Sequence, residues 1–274
     1  MGGLGVLFNI PAIQSQNQLQ QTNTSLQTAL TQLTTGSRIN SGADDPAGLQ
    51  ISNLLNAQIA ALNQSVNNAS DSVGFAQVAD GALSQVSTLL NTSVTLATEA
   101  SNGGLSSQQL SALGTEYGSI LNEINNIGAN TNYNGQGVFT SATVNAFLTD
   151  LTTSYTISIT TTTLTTGSTG LNLTTTNFST SGNPQAALGQ INSAIILVGQ
   201  LRGSIGAAIN QLNDGANVDT VEAQNTTSAL NTINSANIPQ VVSNLNKYSI
   251  LEQTGIYSLT QANALPQGLL KLLQ

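Results

Sequence analysis

Carboxylates are among the few side chains in this chain capable of catalysis, and Asp44 and Asp45 are the two closest together. Paired carboxylates can divide general acid and general base work between them. Here, however, the two are adjacent and Pro46 follows them. That is the pattern of a helix start: an acid that caps free N–H groups, then a proline whose missing N–H costs nothing at the first helical position. Histidine is absent, which removes the imidazole base, the Ser-His-Asp triad and histidine metal ligands; cysteine is absent too, so there is no disulfide and no thiolate site. The glycine-rich start, Met1-Gly-Gly-Leu-Gly5, has neither the lysine nor the strand context of a phosphate loop. Arg38, Arg202, Lys247 and Lys271 are the only cations, they form no patch, and the net charge is −8, so nucleic acid is not an expected partner. No enzyme activity, cofactor or metal is expected.

Only 6% of the residues are charged, against about 25% in ordinary globular proteins. The polar surface must therefore consist of Asn, Gln, Ser and Thr. Such a surface suits packing against copies of itself, because a neutral group can be buried if it is hydrogen-bonded whereas a buried charge needs a partner. No apolar stretch reaches the ~20 residues needed to span a bilayer, so no membrane insertion is expected. The N-terminus lacks the basic region and longer apolar run of a secretory signal, so export would need a route without a cleaved signal.

The elements that carry these residues are read from apolar spacing. Ile51, Leu55, Ile59, Leu62, Val66, Ala69, Val73, Ala76, Leu83, Val86, Leu90, Val94 and Ala97 recur at three and four, predicting one amphipathic helix of about 75 Å from Asp45 to the Asn102-Gly103-Gly104 stop. A second helix is expected from Ser106 to Gly128 and a third, carrying Leu188, Ile191, Ile195, Val198, Leu201, Ile205, Ile209 and Leu212, over 184–233. Their stripes must be buried against each other in a bundle, at about 1.5–3 kcal/mol per seam Leu or Ile before entropy. Between them, Tyr155, Ile157 and Ile159 alternate with Thr and Ser, and Leu171 and Leu173 repeat the alternation beyond Gly167 and Gly170. This predicts a β-hairpin between those two runs, within a β region over 130–183. The ends carry looser stripes, including Leu26, Leu30 and Leu33 on one side and Leu251, Leu259, Leu269, Leu270 and Leu273 on the other. Helices so rich in Thr, Asn and Gln are marginal alone, and the ends are expected to order by pairing within an assembly.

Leu33-Thr-Thr-Gly-Ser-Arg-Ile-Asn-Ser-Gly-Ala-Asp-Asp-Pro-Ala-Gly48 closely resembles the flagellin N-terminal motif. Leu121-Asn-Glu-Ile-Asn-Asn with Thr131-Asn-Tyr-Asn-Gly135 is similar to the family's second helix and the turn after it, and Ile250-Leu-Glu-Gln-Thr-Gly255, Gln261-Ala-Asn263 and Pro266-Gln-Gly-Leu-Leu-Lys-Leu-Leu273 look like its C-terminus. The resemblance implies a mainly α fold: a long antiparallel helical bundle or coiled coil with one β-hairpin region and paired termini. It implies an innermost filament-core domain made of 1–42 and 234–274, an inner rod domain over 43–233, and no outer variable domains. It further implies a self-assembling extracellular subunit of a motility filament, a homo-polymer served by the flagellar type III export apparatus, a filament cap, hook-junction proteins and an export chaperone. The alternatives are a hook–filament junction protein and a secreted coiled-coil adhesin that does not polymerise.

Residue roles follow from the same match. Arg38, with Asn40, Asp44 and Asp45 in the connection after the first helix, is expected to meet a carboxylate or carbonyl and fix the angle between domains; the bland alternative is a solvated charge worth under ~1 kcal/mol. The tail from Leu269 to Leu273 is expected in the filament core, with chaperone binding before assembly as a second role. At the surface read by the animal flagellin receptor, Leu96 and Glu116 match the family but Thr92 stands where the family has arginine, which implies weak recognition. Thr160 to Thr166 and Thr174 to Thr176 are either a plain β region or carriers of O-linked sugar.

Overall fold

The computed structural model describes residues 9–140, 143–149, 153–173, 178 and 183–272. Helix α1, Ile10–Thr35, starts where the Asn9 side chain accepts the Ala12 N–H and Pro11 occupies the first turn; it stops at Gly36, whose φ of 68° is the left-handed conformation glycine adopts without penalty. Helix α2, Pro46–Ala100, begins as expected, with Asp45 Oδ1 accepting the Gly48 N–H at 2.9 Å. Helix α3, Ser107–Asn130, opens with a capping box between Ser106 and Gln109. Two antiparallel strand pairs follow, β1 (Asn132–Tyr133) with β2 (Gln136–Gly137) and β3 (Thr143–Thr149) with β4 (Ser154–Thr160). Helices α4, Asn183–Asn234, and α5, Ile238–Leu272, complete the chain. The fold is mainly helical, with α2 paired antiparallel to α4, α1 paired to α5, and small hairpins. The contacts divide into two compact units, Met1–Ala57 with Asn225–Gln274, and Gln58–Gln224.

In the second unit the α2·α4 seam follows a seven-residue repeat. Leu62, Ala69, Ala76, Leu83, Leu90 and Ala97 form one buried row of α2, and Ser65, Ser72, Ala79, Val86, Ser93 and Ala100 a second. Helix α4 answers with Ile191, Val198, Ile205, Leu212 and Asp219. A strict heptad repeat is the signature of a coiled-coil seam. Cross-links set its antiparallel register: Gln58 Nε2–H donates to Glu222 Oε1 at 3.2 Å, the Ser65 hydroxyl to Asp219 Oδ2 at 2.5 Å, and Arg202 Nε–H to Asp80 Oδ1 at 2.7 Å. As numbers rise along α2 they fall along α4.

The hairpin differs from expectation. β4, which holds Ile157 and Ile159, pairs with the upstream strand β3, Thr143 opposite Thr160 and Thr149 opposite Ser154. Leu171 and Leu173 lie instead in a loop, their N–H groups donating to the carbonyls of Thr165 and Thr166. The physical reason is burial: Ala146 and Leu148 supply β3 with its own apolar face, so β3 and β4 together cover the helices with Ala146, Leu148, Ile157 and Ile159. The loop is held by Asn125 Oδ1, which accepts the Thr166 N–H at 2.9 Å. Gly128 does not end α3, as expected from sequence; it lets the loop lie on the helix, since a Cβ there would sit 1.8 Å from the Leu164 carbonyl oxygen. The end of the hairpin where β3 hands over to β4 is tied down too. The Thr149 N–H donates to Ser65 Oγ at 3.2 Å, and Tyr155 rests over Gly215. Burial, and after it the Asp219 and Glu222 carboxylates, push the Tyr155 phenol above its ordinary value.

Candidate assembly interface

Helix α1 carries no charged residue, and its surface is built from Gln, Asn, Ser and Thr. The hydroxyls of Thr22, Thr24, Thr28, Thr31 and Thr35 donate to carbonyls four residues back, at 2.8–3.1 Å. Those donors are thus already satisfied within the helix, which lowers the cost of removing them from water.

The pairing of α1 with α5 is antiparallel. Asn9 Nδ2–H donates to the Ala262 carbonyl at 2.8 Å, and Leu19 lies so close to Gly255 that a Cβ there would be 3.2 Å from Leu19 Cδ1. Ala12, Thr22 and Ala29 of α1 are buried, and Leu19, Leu26 and Leu33 are half-buried beside them. Leu30 is exposed. On α5, Val241 and Ala262 are buried and Leu259 is half-buried, while Leu251 is exposed. Leu269 and Leu270 belong to α5, but their side chains, and Leu273 altogether, lie outside the described residues. The seam leaves much apolar surface uncovered: Ile10 and Ile13 on α1, and Ile256, Ile250 at 63% and Tyr257 at 77% exposure on α5. Full burial of each such side chain would contribute about 1.5–3 kcal/mol.

The connection after α1 is pinned to the end of α4. Ser37 bridges Ser235, the Arg38 N–H donates to the Asn234 carbonyl at 2.6 Å, and the Ala236 N–H donates to the Gly36 carbonyl at 2.9 Å. The Arg38 guanidinium closes on the Ile233 carbonyl through Nε–H at 3.2 Å and Nη2–H at 2.9 Å, with Asp45 at 3.7 Å. Asp44 organises the turn before α2. Its Oδ2 accepts the Asn40 N–H at 3.0 Å, the Ser41 N–H at 2.8 Å and the Ser41 hydroxyl at 3.1 Å. The Asn40 and Ser41 N–H groups, in that order, hold the Asp44 carboxyl below its ordinary value. Asn40 Nδ2–H donates to the Ser37 carbonyl at 2.7 Å. Four of the residues singled out from sequence, Arg38, Asn40, Asp44 and Asp45, thus meet in one hydrogen-bonded turn.

Sequence reasoning missed the acceptors. The carbonyls of Ile233 and Asn234 carry no side-chain signature. Ser65 and Asp219 were missed as well, although polar residues at repeated core positions could have signalled them. On the receptor-matched face, Thr92 is exposed with its hydroxyl donating to the Thr88 carbonyl at 3.2 Å, Glu116 is exposed, and Leu96 is buried.

A chain whose two terminal helices pair, one of them free of charge, with large apolar side chains left facing outward, is a structural subunit built to pack against further copies. Residues 6–143 match the family of the bacterial flagellin N-terminal helical region, and residues 188–273 that of the bacterial flagellin C-terminal helical region. The chain is similar to the flagellin of Listeria monocytogenes, 30% identical across 97% of this chain and 98% of that protein. It is also similar to flagellin FlaB2 of Treponema pallidum, 27% identical with the same coverage. Among solved structures, Bacillus cereus flagellin is 26% identical and covers 60% of this chain and 94% of its own, with a TM-score of 0.49. The chain belongs to the bacterial flagellin family. It is a non-enzymatic structural subunit that polymerises into the extracellular filament of the flagellum. No helix among the described residues is long and apolar enough to cross a membrane.

Proposed function

We propose that residues 1–42 and 234–274 form the innermost, filament-core part of this flagellin, that 43–233 form an inner rod, and that no outer variable domain is inserted between them. The observation that carries this reading is the chemistry of the paired terminal helices: the uncharged polar face of α1 with its threonine donors satisfied, beside exposed Ile10, Ile13, Ile250 and Tyr257. Sibling copies bury that surface in the polymer, and the ends gain most of their order there. Leu26, Leu30, Leu33, Leu251, Leu259, Leu269, Leu270 and Leu273 supply the packing. Arg38 fixes the turn between α1 and α2 on the end of α4, with Asn40, Asp44 and Asp45 shaping that turn.

The finer partners belong to the same reading. The chain leaves the cell unfolded through the flagellar type III apparatus, is held by an export chaperone at its leucine-rich tail, adds beneath a filament cap, and joins the hook through junction proteins. Recognition by the animal receptor is weak, because Thr92 offers no cation and Leu96 is buried. Amide exchange tests the core claim. Protection over residues 10–35 should rise strongly from monomer to filament, and equal protection in both states would refute it.

A further inference from the structure

Between α2 and the β1–β2 turn lies a cavity of about 580 Å³ whose walls include Asp71, Ser72, Phe75, Tyr133, Asn134 and Gln136. Its size falls among small-molecule sites. Three features give it a definite chemistry. First, Ser72 is buried, 9% exposed, yet its hydroxyl meets no partner among the described residues and faces the cavity. Second, Asp71 stands exposed at the rim and pairs with no cation among the described residues. Third, the Phe75 and Tyr133 rings meet edge to face at 6.1 Å and form an apolar wall. That wall depends on Gly74, since a Cβ there would lie 2.8 Å from the Tyr133 phenol oxygen.

We propose that this cavity binds an organic ammonium or guanidinium head group carrying a short aliphatic stem. The head group donates to the Asp71 carboxylate, to Ser72 Oγ and to the amide oxygens of Asn134 and Gln136, while the stem rests on Phe75 and Tyr133. An anion is repelled by Asp71. A hard divalent ion finds a single carboxylate against its double charge, whereas one such group matches a monocation. A neutral polyol gains nothing from the Asp71 charge, which lies in a unit whose sole cation, Arg202, is already committed to Asp80. Two sources share the required chemistry: a free alkylamine, and a lysine or arginine side chain of a sibling copy in the filament.

The test titrates 1,4-diaminobutane into the full-length monomer while amide chemical shifts are followed, with 1,4-butanediol as the neutral match. Saturable shifts confined to Asp71, Ser72, Tyr133, Asn134 and their neighbours are expected for the amine alone. Asp71→Asn should weaken binding about three- to fivefold, the range of an exposed ion pair. Gly74→Ala, which crowds Tyr133 without touching charge, should weaken it too, whereas Asp214→Asn on the exposed face of α4 should not. Shifts that never saturate, that survive Asp71→Asn unchanged, or that the diol reproduces would overturn the proposal. Repeating the titration on filaments separates the sources. Retained amine binding identifies a free ligand; its loss, with a carbodiimide link from Asp71 to a lysine of a neighbouring copy, identifies a sibling side chain.

Discussion

Replacing Ser65 with alanine should destabilise the unit formed by α2, α4 and the hairpin by about 3 kcal/mol. The magnitude follows from what the hydroxyl does. Asp219 is 4% exposed, and Ser65 donates to it at 2.5 Å while accepting the Thr149 N–H at 3.2 Å. Losing a hydrogen bond to a buried charged group costs roughly 1.5–3 kcal/mol, and stripping a partly buried N–H of its acceptor adds up to about 1 kcal/mol. Urea unfolding of the monomer, read by circular dichroism, measures the change. Asp219 also occupies a core position of the α4 repeat, so Ser65→Ala combined with Asp219→Leu should recover most of the loss, because replacing a buried polar pair with well-packed apolar residues is often neutral. A Ser65→Ala loss below about 0.5 kcal/mol, typical of an exposed site, would refute the reasoning. So would a double variant no more stable than the single one.

Arg38→Ala should cost only about 1 kcal/mol in the monomer, since its contacts are largely exposed, but should lower filament yield; normal filaments and motility would reduce Arg38 to a solvated charge. Gly128→Ala should destabilise by about 2–3 kcal/mol, because the Leu164 backbone must move to admit a methyl group, and urea unfolding checks it. Asp44 gives a pH signature. Its folded value lies below the ordinary 3.8, so its stabilisation is complete above that value and is lost as pH falls through the lower folded one. Carboxyl-carbon NMR should show Asp44 titrating below 3.8, and an ordinary midpoint would contradict the turn geometry.

Much of the fold was legible because long helices repeat their apolar pattern many times. Asp45-Pro46 marked the start of α2 through cap chemistry that is local, and Asn102-Gly103-Gly104 marked its end. Strand pairing was less legible. Three runs alternate in the same way, and the choice of the 143–149 run over Leu171 and Leu173 as partner for β4 is made by which face covers the helices. Gly128 was misread for a related reason: a glycine that ends a helix and one that admits a crossing loop look alike in sequence. At the candidate interface, Arg38 stood out by its rarity among charged residues. Its acceptor could not, because a main-chain carbonyl near the end of α4 has no residue type to read.

Growth of filaments from purified seeds, followed by light scattering and negative-stain microscopy, probes the role of the terminal helices most directly. Chains lacking residues 10–35, or lacking 238–272, should bind seeds poorly and fail to extend them while the α2·α4 unit stays folded. Extension at the full-length rate by either shortened chain would contradict the account.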